Sequence, residues 1–295
     1  MSTTPSFSKT RASTYSVLSS TTGSLRSAPA LGIVLLTRSS WIFRSEVLED
    51  LVSLGFSDIV CVEDPPVKLD MESLLERFPQ VKFLVTSTSL NPGEKINLAV
   101  EELTSEHFLV LWDDQRFPAG TSLTKLVNLV GENSVLCLAP ELFTAEGEAV
   151  PSRTVPARQS GRFRILTLAA ERESQEVLFP WDYSGIYHRP LFLQSGGFDA
   201  LIVNPFWQKA DWGSRIRFWG DRTLQFQDFR LDYRSVLPLS NVTFDASYKF
   251  FYLKNLAIRF DGEAADLPLS RFPAYSFRCH QAPWQALKTF FQIRK

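Results

Sequence analysis

From Leu31 onward, short apolar runs alternate with amphipathic stretches, and that alternation limits what this chain can fold into. The runs cover residues 31–36, 59–62, 81–85, 108–111 and 135–138. Each is too short for a buried helix and reads as a strand covered on both faces. Between them, apolar residues fall at helical spacing. Phe43, Val47, Leu51 and Leu54 form one stripe, closed by Gly55, a residue suited to the left-handed position past a helix end. A second stretch, 69–78, stops at Pro79, and Leu123, Leu126, Val127 and Val130 line a fourth. The third carries its own start signal: Asn91 precedes Pro92, Glu94 stands three residues after the Asn, and Ile96, Ala99, Val100 and Leu103 continue the stripe.

Strand, helix, strand at this spacing predicts right-handed βαβ units and an α/β fold, a mainly parallel sheet with helices on both faces. Ligands of such sheets bind beyond the carboxyl ends of the strands. The residues just after each run are therefore the site candidates: Thr37 and Arg38, Glu63 and Asp64, Thr86 and Ser87, and Asp113 and Asp114. After Pro140 the rhythm breaks. Residues 140–162 read as a loop or flap, 163–168 as a strand, 190–194 as a short helix ended by Gly196 and Gly197, and 205–219 as a helix capped by Asn204. Strand-like alternation follows at Leu224, Phe226, Phe229 and Leu231, then an aromatic-rich helix over 248–260.

Composition excludes several classes. With 44% hydrophobic residues and 24 Phe among 295 positions, the chain has material for a sizeable core and is not a disordered protein. Its 31 Lys and Arg nearly balance 32 Asp and Glu, so no global basic field holds nucleic acid, and a soluble, cytoplasmic body is expected. Cys61, Cys137 and Cys279 are far apart and form no CxxC, which argues against zinc knuckles, iron–sulfur clusters and disulfide scaffolds. The longest apolar run, 31–36, is far below the roughly 18 residues a bilayer span needs. Residues 1–28 stand apart: half of the first thirty are Ser or Thr, and no acid precedes Glu46. They read as a disordered tail or, alternatively, a targeting segment. The last helix, with Lys288, Arg294 and Lys295 beside Leu287, Phe290, Phe291 and Ile293, either packs on the domain or rests on a membrane surface.

No GxGxxG follows the first strand, and no Walker loop, GxSxG elbow or HExxH occurs. Residues 109–114 instead end a strand in Trp112-Asp113-Asp114. Two carboxylates at such a rim suit Mg²⁺ or Mn²⁺, hard cations that take oxygen ligands and bridge phosphates, although acids also start turns and cap helices.

These features together resemble the family 2 glycosyltransferases of the GT-A fold. The resemblance is carried by Val60-Cys61-Val62-Glu63-Asp64, the helix start Gly93-Glu94-Lys95-Ile96-Asn97 and the strand ending in Asp. Further on come Gly185-Ile186-Tyr187-His188-Arg189, Gly196-Gly197-Phe198-Asp199, and Asp211, Arg215 and Gly220. It spans about residues 30–260 and implies one domain over 29–295, with a nucleotide-sugar half (29–140) and an acceptor half (141–295). It further implies transfer of a sugar, with inversion, from a nucleoside-diphosphate donor to a glycan, lipid or protein hydroxyl. Thr37, Arg38, Glu63, Asp64, Lys95 and Asp113 would then meet the nucleotide and Asp114 the metal. Gly196, Gly197, Trp212 and Arg215 would lie at the acceptor, and Asp211 would be the base.

Two departures stand out. The family's Asp-x-Asp triplet aligns with Trp112-Asp113-Asp114, which lacks the first acid, and its Glu-Asp pair aligns with Gln208-Lys209, leaving Asp211 as base by default. A catalytically inactive nucleotide- or glycan-binding member of the fold is therefore the rival reading. Asp211 and Arg215 also have the i, i+4 spacing of an ordinary helix ion pair. Trp207, Trp212 and Trp219 are core residues or an aromatic wall, Gly196-Gly197 is a helix stop or an acceptor turn, and His188 is a structural residue or a site neighbour. A nucleotidyltransferase would need a Gly-rich loop where Thr37-Arg38-Ser39-Ser40 stands.

Overall fold

A computed structural model of the chain describes residues 14–19, 29–38, 41–65, 71–159, 162–169, 174–260, 265–278 and 282–294. The strands are β1 (Tyr15–Leu18), β2 (Leu31–Leu36), β3 (Ile59–Glu63), β4 (Val81–Thr86), β5 (His107–Trp112), β6 (Gln115–Arg116) and β7 (Cys137–Phe143). They continue with β8 (Arg153–Gln159), β9 (Arg162–Leu168), β10 (Gln175–Val177), β11 (Gly185–His188) and β12 (Thr223–Tyr233). The helices are α1 (Trp41–Ser53), α2 (Met71–Arg77), α3 (Pro92–Glu102), α4 (Leu123–Glu132), α5 (Arg189–Gln194), α6 (Pro205–Phe218), α7 (Ala246–Phe251), α8 (Phe272–Arg278) and α9 (Pro283–Arg294).

Among the described residues one ten-stranded sheet runs in the order β1-β4-β3-β2-β5-β11-β7-β12-β10, with β6 on β12. The block β4-β3-β2-β5 is parallel, as the alternation predicts. Antiparallel β11 then separates β5 from β7, and β12 runs parallel to β7. Alternate side chains feed two cores on opposite faces, because successive residues of a strand point to opposite sides. Val34, Leu36, Phe108, Val110 and Trp112 join α3 and α6 on one face. Leu31, Ile33, Leu35, Leu109 and Leu111 join α1 and α4 on the other.

The capping box at α3 is present: Asn91 Oδ1 accepts from Glu94 N at 3.0 Å, and Glu94 Oε2 accepts from Asn91 N at 3.1 Å. Three local expectations are corrected. Within the residues read as a tail, Tyr15–Leu18 is an edge strand antiparallel to β4, fixed by the Tyr15 hydroxyl donating to Glu102 at 2.8 Å. The rest of 1–28 lies outside the described residues apart from residues 14 and 19. The stretch read as a loop contains the end of β7 and all of β8, which pairs with β9; Pro156 sits in a two-stranded ribbon rather than the main sheet, where its missing N–H is tolerated. The helix expected over 248–260 is the short α7 followed by a π-helical turn at Tyr252–Leu256.

Cys61 and Cys137 are buried thiols, and Cys279 lies outside the described residues. Helix α9 packs Ala286 and Phe290 against Leu253 and Tyr275, while Trp284 and Phe291 stay exposed. Among the described residues no helix is long and apolar enough to cross a membrane.

Candidate functional site

The register of β2 and β5 sets the site. Leu36 pairs with Trp112, so the residues after the two strands emerge side by side. Asp113 N donates to Leu36 O at 2.9 Å, and Arg38 N donates to Asp113 Oδ1 at 3.0 Å, which ties the two loop starts together. The Arg38 guanidinium lies over the Trp112 ring at 3.9 Å, where the ring face attracts a cation. From there its Nε reaches Asp114 Oδ2 at 3.0 Å and its Nη1 donates to Asp182 Oδ1 at 3.2 Å, with Nη2 on Asp182 Oδ2.

Asp182 is held in turn by the Tyr233 hydroxyl at 2.9 Å and, at its backbone carbonyl, by the Trp112 indole N–H at 2.7 Å. Asp182 and Tyr183 have φ of 56° and 64°, the left-handed region that non-glycine residues rarely occupy. Two such residues in succession mark a turn fixed by its surroundings and a place to look for function. Burial alone would lower the Arg38 pKa, but Asp182 and Asp114 hold it above its ordinary value. Asp114 moves up instead, because burial outweighs the attraction of Arg38.

A cavity of about 170 Å³ opens beside this cluster, lined by Arg38, Trp112, Trp181, Asp182, Tyr183 and Lys209, with Pro238 to Asn241 along one side. Lys209 is 5% exposed. Its Nζ lies 4.9 Å from the Tyr183 ring centre and 5.8 Å from those of Phe179 and Trp181. Burial lowers its pKa from 10.5 to about 8, against the opposing pull of Asp182.

The expected site residues separate into two groups. Arg38 lines the cavity, and Asp114 and Asp113 stand behind it. Thr37 follows β2 half-buried and is not among the cavity-lining residues. Glu63 is buried and turned to Arg44 Nη1 at 2.6 Å, so it does not line the cavity. Asp64 pairs with Lys95 at 2.8 Å and accepts from Leu90 N, which ties the end of β3 to the start of α3 rather than to the cavity.

Each residue expected at the acceptor has a structural role, which for Trp212, the Gly196-Gly197 turn and His188 is one of the two readings the sequence left open. Trp212 is fully buried among Tyr187, Phe192 and Phe198. Arg215 donates to the carbonyls of Ser195 and Gly197 and to Asp211 Oδ2 at 3.0 Å, so it fastens α6 to the turn after α5. Gly196 and Gly197 form that turn at positive φ, and a Cβ on Gly197 would meet Asn97 Oδ1 at 2.3 Å. His188 caps α5 by accepting from Leu191 N at 3.3 Å.

Asp211 is the largest correction. It is fully buried and holds Arg215, Lys254 Nζ at 2.9 Å and Asn255 Nδ2 at 2.8 Å. Burial would raise its pKa, but Lys254 and Arg215 keep it below the ordinary carboxylate value. At about 100° per residue, positions 209 and 211 are about 200° apart around the helix. Lys209 faces the cavity, and Asp211 therefore faces away from it.

The residues do not fit the expected divalent cation. Asp114 Oδ1 is buried with no hydrogen-bond partner among the described residues, as a ligand oxygen would be. Its other oxygen, however, is taken by Arg38, whose charge repels a metal at that point, and Trp112 stands where a second acid would help. Among the described residues no group of three His, Cys, Asp or Glu is arranged to hold a metal.

No protein-family model and no curated protein sequence matches the chain. Solved structures do. GalNAc-T7 with UDP, GalNAc and Mn²⁺ superposes with a TM-score of 0.57 at 11% identity, over 88% of this chain and 56% of that one. Residues 1–349 of S. aureus TarS in complex with UDP-GlcNAc give 0.57 at 13% identity, over 90% and 71%. The mannosyltransferase PcManGT from Pyrobaculum calidifontis, with GDP-Man and Mn²⁺, gives 0.50 at 12% identity, over 91% and 74%. The chain has the GT-A-type fold. At these identities the likeness is one of fold, and the chain spans about half of the first of these relatives.

Sequence reading missed Asp182 and Tyr233 and gave Lys209 no role. A signal for Asp182 was present: an acid between aromatic residues, just before the strand that inserts beside β5.

Proposed function

We propose that this chain is a nucleotide-sugar-dependent glycosyltransferase whose donor occupies the cavity at the carboxyl rim of β2 and β5, the sugar passing to a hydroxyl-bearing acceptor. The observation that carries this reading is the joint presence of Arg38, Trp112 and Lys209 at that rim of a GT-A-type sheet. Strand ends of open sheets are where ligands bind, and the fold relatives whose names include UDP, UDP-GlcNAc and GDP-Man support a nucleotide sugar as the ligand.

The residues divide the work by chemistry. Departure of a diphosphate builds negative charge, and cationic side chains fixed in advance offset it without reorganising. Asp182 and Asp114 fix the Arg38 guanidinium on the Trp112 ring, and Lys209 brings a second cation. The divalent cation named with two of the fold relatives is not carried over, since Arg38 already holds Asp114.

A second reading, ligand binding without turnover, is favoured by one observation: Lys209 faces the cavity where the resembled family has its base, and Asp211 is sealed. A panel of UDP- and GDP-sugars, incubated with and without acceptor, separates the two. Release of nucleoside diphosphate above the Lys209→Met background supports transfer. Binding without release across the panel supports the second reading, and neither binding nor release overturns both.

A further inference from the structure

Lys209 presents a physical problem. A buried lysine in a folded protein is ordinarily paired, because an isolated ammonium taken out of water loses its hydration with nothing in return. Here Nζ has no hydrogen bond or ion pair among the described residues, although the residue is 5% exposed and lines a cavity. Three aromatic rings surround it and supply partial compensation. The charged groups facing it do not supply the rest. Asp182 attracts it, but both carboxylate oxygens are taken by Arg38 and Tyr233; Arg38 repels it; and burial keeps the Tyr183 phenol protonated. The arrangement lacks an anion on the cavity side.

We propose that Lys209 binds a phosphate group of the ligand directly, with no divalent cation between them. This rests on the donor-site reading above and deepens it. The phosphate has two possible sources, the diphosphate of the nucleotide or a phosphate carried by another substrate, and both present the same anionic oxygens to the ammonium. Phosphate binding completes the ion pair that the folded chain leaves open. It also keeps Lys209 protonated at pH values where the unliganded side chain, with its pKa lowered to about 8, has lost its proton.

The test is titration calorimetry of UDP, GDP and pyrophosphate, in EDTA and in Mn²⁺, on the full chain and on Lys209→Met and Lys209→Arg. The expected result is binding that survives EDTA, weakens about 10- to 100-fold in Lys209→Met and is retained in Lys209→Arg. Buffers of different ionisation enthalpy should further show uptake of up to about three quarters of a proton per ligand at pH 8.5, absent in Lys209→Arg, which never loses its charge.

Unchanged affinity in Lys209→Met overturns the proposal. Binding that requires Mn²⁺ overturns it too, while leaving the donor site standing. Pyrophosphate without nucleotide binding assigns the phosphate to another substrate. If no probe binds in either condition, the donor-site reading falls and this inference falls with it. Thermal melts of both variants establish that they fold.

Discussion

Helix α6 separates two groups of buried charge that differ in one respect. On its inner side Asp211 meets Arg215, Lys254 and Asn255, and Asp199 takes the same lysine at 2.7 Å. That group lines no part of the cavity. On the cavity side, Arg38 bridges Asp114 and Asp182, but Lys209 and one oxygen of Asp114 remain without hydrogen-bond partners among the described residues. Desolvation falls on both groups, and only on the inner side does each of these charges meet an opposite one, although Asn255 Oδ1 has no hydrogen-bond partner there among the described residues. The inner group is a fastening, and the outer one is where we propose that the ligand binds.

The largest expected effect tests the inner side. Asp211→Ala leaves Arg215 and Lys254 with a missing counter-charge and should cost about 3–5 kcal/mol by urea denaturation. Because the Asp211 pKa is held below its ordinary value, its contribution is present above the unfolded value of 3.8 and is lost as pH falls through the lower folded value. The variant should therefore show a flatter acid limb. A cost near zero breaks the comparison.

Arg38→Gln should come next. It leaves Asp114 and Asp182 facing each other, so about 1–3 kcal/mol of stability is lost, and nucleotide affinity with it. Stability loss with affinity intact would assign Arg38 to the fold alone.

Lys209→Met should go the other way. Removing an unpaired buried ammonium should stabilise the unliganded chain by about 1–3 kcal/mol at pH 7. The sign follows from a folded pKa of about 8 against 10.5: the penalty is complete below the first value and gone above the second. The gain measured by denaturation should accordingly shrink between those pH values. A loss of stability would mean that Lys209 is already paired. Ser235→Ala should have the smallest effect, about 0.5–1.5 kcal/mol, since it removes one hydrogen bond of 3.1 Å to Asp114. A larger loss would make Ser235 part of the fastening.

The parallel block and its helices were legible because strand and helix periods differ and because Asn91, Pro92 and Glu94 spell a capping box. The insertion of β11 beside β5 was not, because strand order depends on long-range pairing that no local pattern encodes. Tyr15–Leu18 was missed because its strand lies inside a Ser/Thr-rich segment and gains its order from β4. The position of Arg38 and Asp114 past the ends of β2 and β5, beside the cavity, was legible from the strand pattern. Asp182 did not, since it arrives from a turn that is remote in sequence. Asp211 misled because elimination replaced geometry: the acid nearest the expected base lies on the wrong side of its helix.

The most direct test of the account is a crystal structure of the chain with UDP or GDP bound in the presence of EDTA. Diphosphate oxygens are expected within hydrogen-bond distance of Lys209 Nζ, with Arg38 still stacked on Trp112. A nucleotide bound away from this cavity, or a diphosphate turned toward the inner side of α6, would contradict it.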